Sequence, residues 1–210
     1  MEETKQIKQI KSFKDRSTWR KKGKVTNMQL FTREQLLDKI SKFKTGNLMR
    51  DRAFISFLYL TGCRVSESLD VTPLQIEFKE HKEGIFIVIQ NMQCLKRRED
   101  HKAWRDVAIS SEKDSAFYNY IFTYINSIPQ DERNKPLFDF TRHTGYHIVR
   151  KFDDRLFPHF FRHQRCSDLA RMGFNPADLR QYIGWVNDSQ ASNYVHLNWR
   201  DSADKFMRDN

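Results

Sequence analysis

The sequence predicts an α+β fold that is mostly helical and carries a small antiparallel sheet near its middle. Apolar residues recur at helical spacing along most of the chain. Two segments instead read as strands: the β-branched run at 85–89 and the alternating segment at 104–109. The 210 residues are enough for one globular domain or one domain plus a tail, and 13% aromatic content excludes a disordered polyelectrolyte.

Helix start and stop signals set the predicted boundaries. Thr32 and Gln35 form a capping box, Pro176 lies in a first helical turn, and Gly62 and Gly184 follow helix ends. A polar connection at 91–103 joins the two strands into a hairpin. The predicted helical segments are 32–41, 46–60, a short turn from Ser66 that ends before Pro73, 111–127 with a capping box of Ser111 and Asp114, 141–152, 158–172, 176–184, 188–196 and 200–208.

The charge distribution points to a polyanionic partner. The net charge is +10, and residues 1–24 hold nine basic and three acidic side chains. Such a balance favours nucleic acid as the partner. The basic segment is either an arm that lies along phosphates or a solvated terminus. As an arm, it would contact DNA through Lys21, Lys22 and Lys24.

Several protein classes are disfavoured by the same sequence. No apolar run is long enough to span a bilayer, and residues 1–24 lack the apolar core of a signal peptide. Cys63, Cys94 and Cys166 provide neither a disulfide framework nor a metal knuckle. We therefore expect a cytoplasmic protein with no membrane partner, no metal and no organic cofactor.

Three segments carry candidate chemistry: residues 61–69, residues 159–163, and Gly184-Trp185 followed nine residues later by Tyr194. Arg64 and Arg162 supply two guanidinium forks, which can hold the two non-bridging oxygens of one phosphodiester. Backbone amides after a helix end can converge on the same anion as Arg64. His159 and Arg162 are three residues apart and share one helix face. Tyr194 is then a candidate nucleophile.

This ordered set resembles the tyrosine recombinases, the family of phage integrases and Xer-type resolvases. The five residues that fall on the family pattern in order and spacing are Arg64, His159, Arg162, Trp185 and Tyr194. The resemblance extends from about Leu30 to Trp199, and the stretch from His159 is similar to archaeal and archaeal-virus integrases. Trp185 stands where most members have His; its indole can donate a hydrogen bond but cannot shuttle a proton.

The resemblance also implies a lysine on the β-hairpin between the first two motifs. Lys96 lies at the end of the first strand, where the family places it, and Lys102 is the rival. Arg97 and Arg98 lie beside Lys96 and are candidate DNA contacts. The acidic family position is Glu67, a supporting residue. We expect the second supporting residue, His163, to hydrogen-bond a carboxylate, with Glu67 as the candidate.

The resemblance implies a transesterification mechanism. Tyr194 attacks the scissile phosphorus to form a 3′-phosphotyrosyl link and releases a 5′-hydroxyl. His159 is the general base, Arg64 and Arg162 neutralise the pentacoordinate transition state, and Lys96 protonates the departing oxygen. Attack by a 5′-hydroxyl of another strand completes the exchange. The covalent link conserves the phosphodiester energy, so no cofactor is required.

The predicted organisation is a basic arm at 1–27 and a catalytic domain at 28–210 with a tail helix at about 200–209. Family members carry a helical core-binding domain ahead of the catalytic domain, and this sequence has no full counterpart. That domain is absent naturally, encoded elsewhere or truncated. The tail helix either contacts a neighbouring protomer or covers its own core.

The expected partners are double-stranded DNA and further copies of the chain, from a dimer to a tetramer on DNA. The leading functional hypothesis is a site-specific recombinase of integrase or resolvase type. One alternative is a type IB topoisomerase-like or telomere-resolvase-like enzyme, which shares the same chemistry. Another is a non-cutting DNA-binding regulator of a recombinase.

Overall fold

A computed structural model of the chain describes residues 30–82, 84–94 and 103–194. The chain divides into two compact units, Met1–Leu30 and Phe31–Asn210, and the elements below belong to the second. They confirm the predicted class: about half of the described chain is helical, with one antiparallel sheet of three strands. No helix in this part of the chain is long and apolar enough to cross a membrane.

Most helices begin and end close to the predicted boundaries. The helix predicted from Ser111 instead begins at Ser115 with Asp114 as its N-cap, because the Ser110 hydroxyl accepts from the amides of Glu112 and Lys113 and residues 111–114 form a turn. The helices are α1 (Arg33–Lys42), α2 (Leu48–Thr61), α3 (Val65–Leu69), α4 (Ser115–Asn126), α5 (Arg142–Phe152), α6 (His159–Arg171) and α7 (Pro176–Ile183). Short 3₁₀ turns cover Pro73–Gln75, Gln130–Glu132 and Ala191–Asn193. The capping box predicted at Thr32 is present, since the Thr32 hydroxyl accepts from the amide of Gln35 and the Gln35 side chain accepts from the amide of Thr32.

The sheet consists of β1 (Ile76–His81), β2 (Gly84–Gln93) and β3 (Trp104–Ser110), in that spatial order. The predicted hairpin is β2 and β3, with Ile87 opposite Ile109. A register shift between Ile89 and Met92 marks a bulge, and strand pairing resumes beyond it. β2 therefore runs to Gln93, four residues further than the predicted strand.

Helix α2 lies at the centre of the fold. Every residue from Ala53 to Thr61 is buried, as expected of a helix that is packed on several sides. Phe54 and Phe57 both meet Phe138 edge to face, at centroid distances of 5.2 and 5.4 Å. Because α2 ends at Thr61 and Gly62 caps it, the helix brings the backbone of residues 62–64 to the candidate site.

The predicted helix at 188–196 is wrong within the described residues. The chain there forms one α-type turn, from the Ser192 amide to the Asp188 carbonyl, followed by the 3₁₀ turn. Asn, Asp and Ser side chains crowd this segment and offer the backbone alternative hydrogen bonds; the Ser189 hydroxyl, for example, contacts the Asn187 side chain. The predicted tail helix at 200–209 and the arm at 1–27 lie outside the described residues.

Candidate active site

A buried carboxylate organises the first part of the site. Glu67 is 1% exposed and lies in the first turn of α3. Its Oε2 accepts from the backbone amide of Arg64 at 2.9 Å, and its Oε1 pairs with Nη1 of the same residue. One carboxylate, that of Glu67, therefore holds both the backbone amide and the guanidinium of Arg64 at the start of α3.

Arg162, on α6, faces the same carboxylate. It is 1% exposed, its Nη1 donates to the Gly62 carbonyl at 2.9 Å, and Nη1 lies 3.9 Å from Oε2 of Glu67. Burial, with the nearby cations Arg105 and Arg64, lowers its pKa to about 10. Its buried Nη2 has no hydrogen-bond partner among the described residues. A buried donor left unpaired costs about 1–3 kcal/mol, and a bound anion would satisfy it.

Tyr194 lies in an aromatic cluster beside Arg162. Its ring stacks on Trp185 with centroids 5.6 Å apart and planes at 20°. On the same indole, the guanidinium carbon of Arg162 lies 5.6 Å from the ring centroid. The hydroxyl of Tyr194 contacts Nδ1 of His163. The structure thus brings four of the predicted residues, Arg162, His163, Trp185 and Tyr194, into one contact chain.

The electrostatics of this cluster keep the phenol neutral. Burial raises the pKa of Tyr194 above its ordinary value, and the charge of Arg162 opposes that shift only in part. Burial and Arg162 lower the pKa of His163, so its imidazole is neutral near pH 7. A neutral imidazole has one nitrogen that accepts a proton, and the Nδ1 that contacts Tyr194 can fill this role.

The expected bond between His163 and Glu67 is replaced by the contact with Tyr194. The reason is that the oxygens of Glu67 face guanidinium groups instead. His159 begins α6 and is exposed; its ring stands perpendicular to that of His163 with centroids 4.6 Å apart. The two imidazoles therefore lead from Tyr194 toward the surface.

One further side chain reaches this site and is not among the residues predicted from the sequence, Arg105. Its side chain is buried on β3, with Nη2 3.8 Å from Oε2 of Glu67. Along β3, Arg105 shares the buried face with Val107 and Ile109. The sequence itself shows that Arg105 falls on the same face of the strand as Val107 and Ile109. An arginine on the buried face of a strand requires a buried partner, and this signal could have identified it.

The basic residues predicted at the hairpin tip and in the arm lie outside the described residues. The strand ends flanking the tip are joined by a hydrogen bond from the Cys94 amide to the Ala103 carbonyl at 2.9 Å. The predicted residues that lie outside the described residues are Lys21, Lys22, Lys24, Lys96, Arg97, Arg98 and Lys102. Within the ranges that are described, no group of three or more His, Cys, Asp or Glu side chains could hold a metal ion.

Comparison with known proteins agrees with this geometry. Residues 27–200 match the model of the "Phage integrase family". A "Tyrosine recombinase" of Pseudothermotoga lettingae is 28% identical over 77% of this chain and 54% of its own length. "Tyrosine recombinase XerC" of Roseiflexus castenholzii is 23% identical over 80% of this chain and 54% of its own. The chain thus spans about half the length of the curated relatives it matches.

Solved structures show the same fold. The XerH site-specific recombinase bound to difH substrate has a TM-score of 0.59 and 17% identity, covering 84% of this chain and 52% of that one. The catalytic domain of bacteriophage HP1 integrase has a TM-score of 0.52 and 20% identity, covering 86% and 95%. The closer likeness to archaeal integrases stays a prediction. Since the family model spans most of the sequence and the fold agrees, the chain belongs to the phage integrase family of tyrosine recombinases.

Proposed function

We propose that this chain is the catalytic part of a site-specific DNA recombinase that cuts and rejoins strands through a 3′-phosphotyrosine on Tyr194. One observation carries the proposal: Tyr194 and Arg162 contact the same indole of Trp185, while Glu67 holds Arg162 and Arg64 together. A nucleophile and two phosphate-binding cations therefore belong to one continuous set of contacts.

The two guanidiniums receive the scissile phosphate. Glu67 orients Arg64, and the unpaired Nη2 of Arg162 gains the partner it lacks in the described part of the chain when an anion binds. As Tyr194 attacks, one more negative charge develops on the phosphorus oxygens. Preorganised cations stabilise that charge without reorganising during the reaction.

The phenolic proton must leave as the oxygen–phosphorus bond forms. His163 is in direct contact with the Tyr194 hydroxyl, and its lowered pKa keeps it neutral and able to accept. His159, the base expected from the resemblance, lies behind His163 at the exposed end of the imidazole pair. Trp185 packs against the nucleophile and moves no proton. We retain Lys96 as the proposed donor to the departing 5′-oxygen.

The proposed partner is duplex DNA, bound by two to four copies of the chain during strand exchange. Support comes from the solved neighbours, which include XerH bound to difH substrate and the Tn1549 integrase in complex with circular intermediate DNA. The relatives are about twice as long as this chain, so recognition of a particular site is also part of the proposal.

The test is covalent trapping on nicked duplex DNA. The duplex is randomised upstream of the nick and labelled at the 5′ end of the nicked strand. Cleavage just before the nick releases a short fragment that diffuses away, so religation is prevented. We expect labelled DNA to migrate with the protein on a denaturing gel for the unchanged chain and for Tyr146→Phe, a control at an exposed tyrosine. Tyr194→Phe should give no adduct.

Other outcomes separate the alternatives. DNA binding without an adduct contradicts the proposal and favours a non-cutting regulator. Relaxation of supercoiled plasmid without exchanged products favours the topoisomerase-like alternative. An adduct that persists in Tyr194→Phe assigns the nucleophile to another residue.

A further inference from the structure

Glu67, the buried carboxylate of the site, pairs with the guanidiniums of Arg64, Arg162 and Arg105. The first two bind phosphate in the proposed mechanism, and Arg105 has no role in it. We propose that Arg105 is a positioning residue of the active site, which couples the carboxylate that orients Arg64 and Arg162 to the turn that carries Trp185. The proposal rests on the proposed function, because positioning has meaning only if these residues cut DNA.

The first half of the coupling is the contact with Glu67. Oε2 of Glu67 accepts the Arg64 amide at 2.9 Å and lies 3.8 Å from Nη2 of Arg105 and 3.9 Å from Nη1 of Arg162. The Arg105 and Glu67 side chains are 4% and 1% exposed, so water screens this contact weakly. A movement of Arg105 therefore changes the position of the oxygen that both phosphate-binding arginines share.

The second half is the contact with the end of α7. Nη1 of Arg105 donates to the backbone carbonyl of Tyr182, two residues before Gly184. A Cβ built at Gly184 would lie 3.0 Å from Cδ and 3.3 Å from Nε of Arg105, so the backbone of the turn rests on this side chain. The next residue is Trp185, which contacts both Tyr194 and Arg162.

The fork of Arg105 is anchored at a third point on β2. Its Nη2 lies 3.5 Å from the sulfur of Met92, just after the bulge. One rigid planar group thus spans β2, the carboxylate on α3 and the end of α7. Lysine offers one flexible ammonium and cannot hold these positions at once. Arg105 consequently fixes the distance between the phosphate-binding arginines and the nucleophile's neighbour.

The experiment measures the single-turnover rate of adduct formation on the nicked duplex at saturating DNA. Residues that orient metal ligands through hydrogen bonds typically change activity by about 10- to 100-fold when replaced, and we expect the same range for a residue that orients phosphate-binding arginines. We expect Arg105→Met to slow adduct formation by about this factor with unchanged DNA affinity, and Arg105→Lys to recover only part of the rate. Arg33→Met is the matched control, since Arg33 also pairs with a buried carboxylate, that of Asp114, which lies outside the site. This variant should keep the rate of the unchanged chain.

A double-mutant cycle distinguishes positioning from plain stabilisation. If Arg105 acts through Glu67, then adding Arg105→Met to Glu67→Gln should slow the reaction much less than Arg105→Met does alone. Additive losses would overturn the proposal. The proposal would also be overturned if the loss of rate in Arg105→Met matched the fraction of unfolded protein measured by circular dichroism. If the Met variant does not fold, the Lys variant carries the same comparison, with slowed chemistry at full DNA affinity expected.

The remaining outcomes are distinguishable. A normal rate in folded Arg105→Met, beside an active unchanged chain, overturns this inference and leaves the proposed function standing. No adduct from the unchanged chain overturns the proposed function, and this inference with it.

Discussion

Gly184 forms the turn between α7 and Trp185, and replacing it with alanine is a direct test of the packing around the site. Its φ is +75°, a conformation that costs residues with a Cβ about 1–2 kcal/mol. The new Cβ would also lie 2.5 Å from the sulfur of Cys94 and 3.0 Å from Cδ of Arg105. Overpacking of this kind costs about 1–3 kcal/mol, so we expect Gly184→Ala to lose about 2–5 kcal/mol of unfolding free energy.

Gly173 provides the matched control. Its φ is +96°, but a Cβ there would meet nothing within 4 Å. Gly173→Ala should therefore show only the backbone strain of about 1–2 kcal/mol. Urea unfolding followed by circular dichroism gives both values, and their difference isolates the collision at about 1–3 kcal/mol. Equal losses in the two variants would refute the close packing of the turn against Cys94 and Arg105.

Three further predictions address other parts of the molecule. Asp114→Asn leaves the buried guanidinium of Arg165 without its carboxylate and should lower the free energy of unfolding by about 3–5 kcal/mol, measured with urea. Glu132→Gln, at an exposed ion pair, should lower it by at most about 1 kcal/mol. Similar losses in the two variants would contradict the burial of the Asp114–Arg165 pair. The pKa of His163 is lower in the folded protein than in the unfolded chain. The stability that this group contributes is therefore fully present above the ordinary histidine pKa and decreases as the pH falls below that value. Between about pH 7.5 and about pH 5.5 the urea midpoint should thus fall further for the unchanged chain than for His163→Gln, and identical profiles would contradict the shift. Deleting residues 1–24 should flatten the dependence of DNA affinity on salt, and an unchanged slope would return this segment to the solvated-terminus interpretation.

Local signals were sufficient to predict most of the fold. The capping box at Thr32 and the glycine after α7 act within a few residues, so their effect can be read without tertiary information. Strand β1 carries no such signal. Only Ile76 of its six residues is buried, so the alternation of buried and exposed residues that identifies a strand is absent. This segment is a strand because it pairs with β2.

Order and spacing in the sequence are enough to name Arg162 and Tyr194 as candidate site residues, which the structure brings to the same indole. They are not enough to name the partners that residues meet through the fold. The contact between His163 and Tyr194 joins residues 31 positions apart, and it depends on where the turn after α7 brings the chain. The packing of the fold determines which oxygen a buried histidine contacts. The prediction of Glu67 as the partner of His163 is therefore wrong, and the partner is the hydroxyl of Tyr194.

The most direct test of the central claim is to identify the atom that holds the DNA. The trapped adduct is digested with nuclease and trypsin, and the nucleotide-bearing peptide is sequenced by tandem mass spectrometry. Cleavage after Arg180 and Arg200 places Tyr194 in the same peptide as Tyr182, so fragment ions must separate the two. We predict the nucleotide on Tyr194, joined through a 3′-phosphate. A nucleotide on Tyr182 or any other residue, or a 5′-phosphate link, would contradict the account.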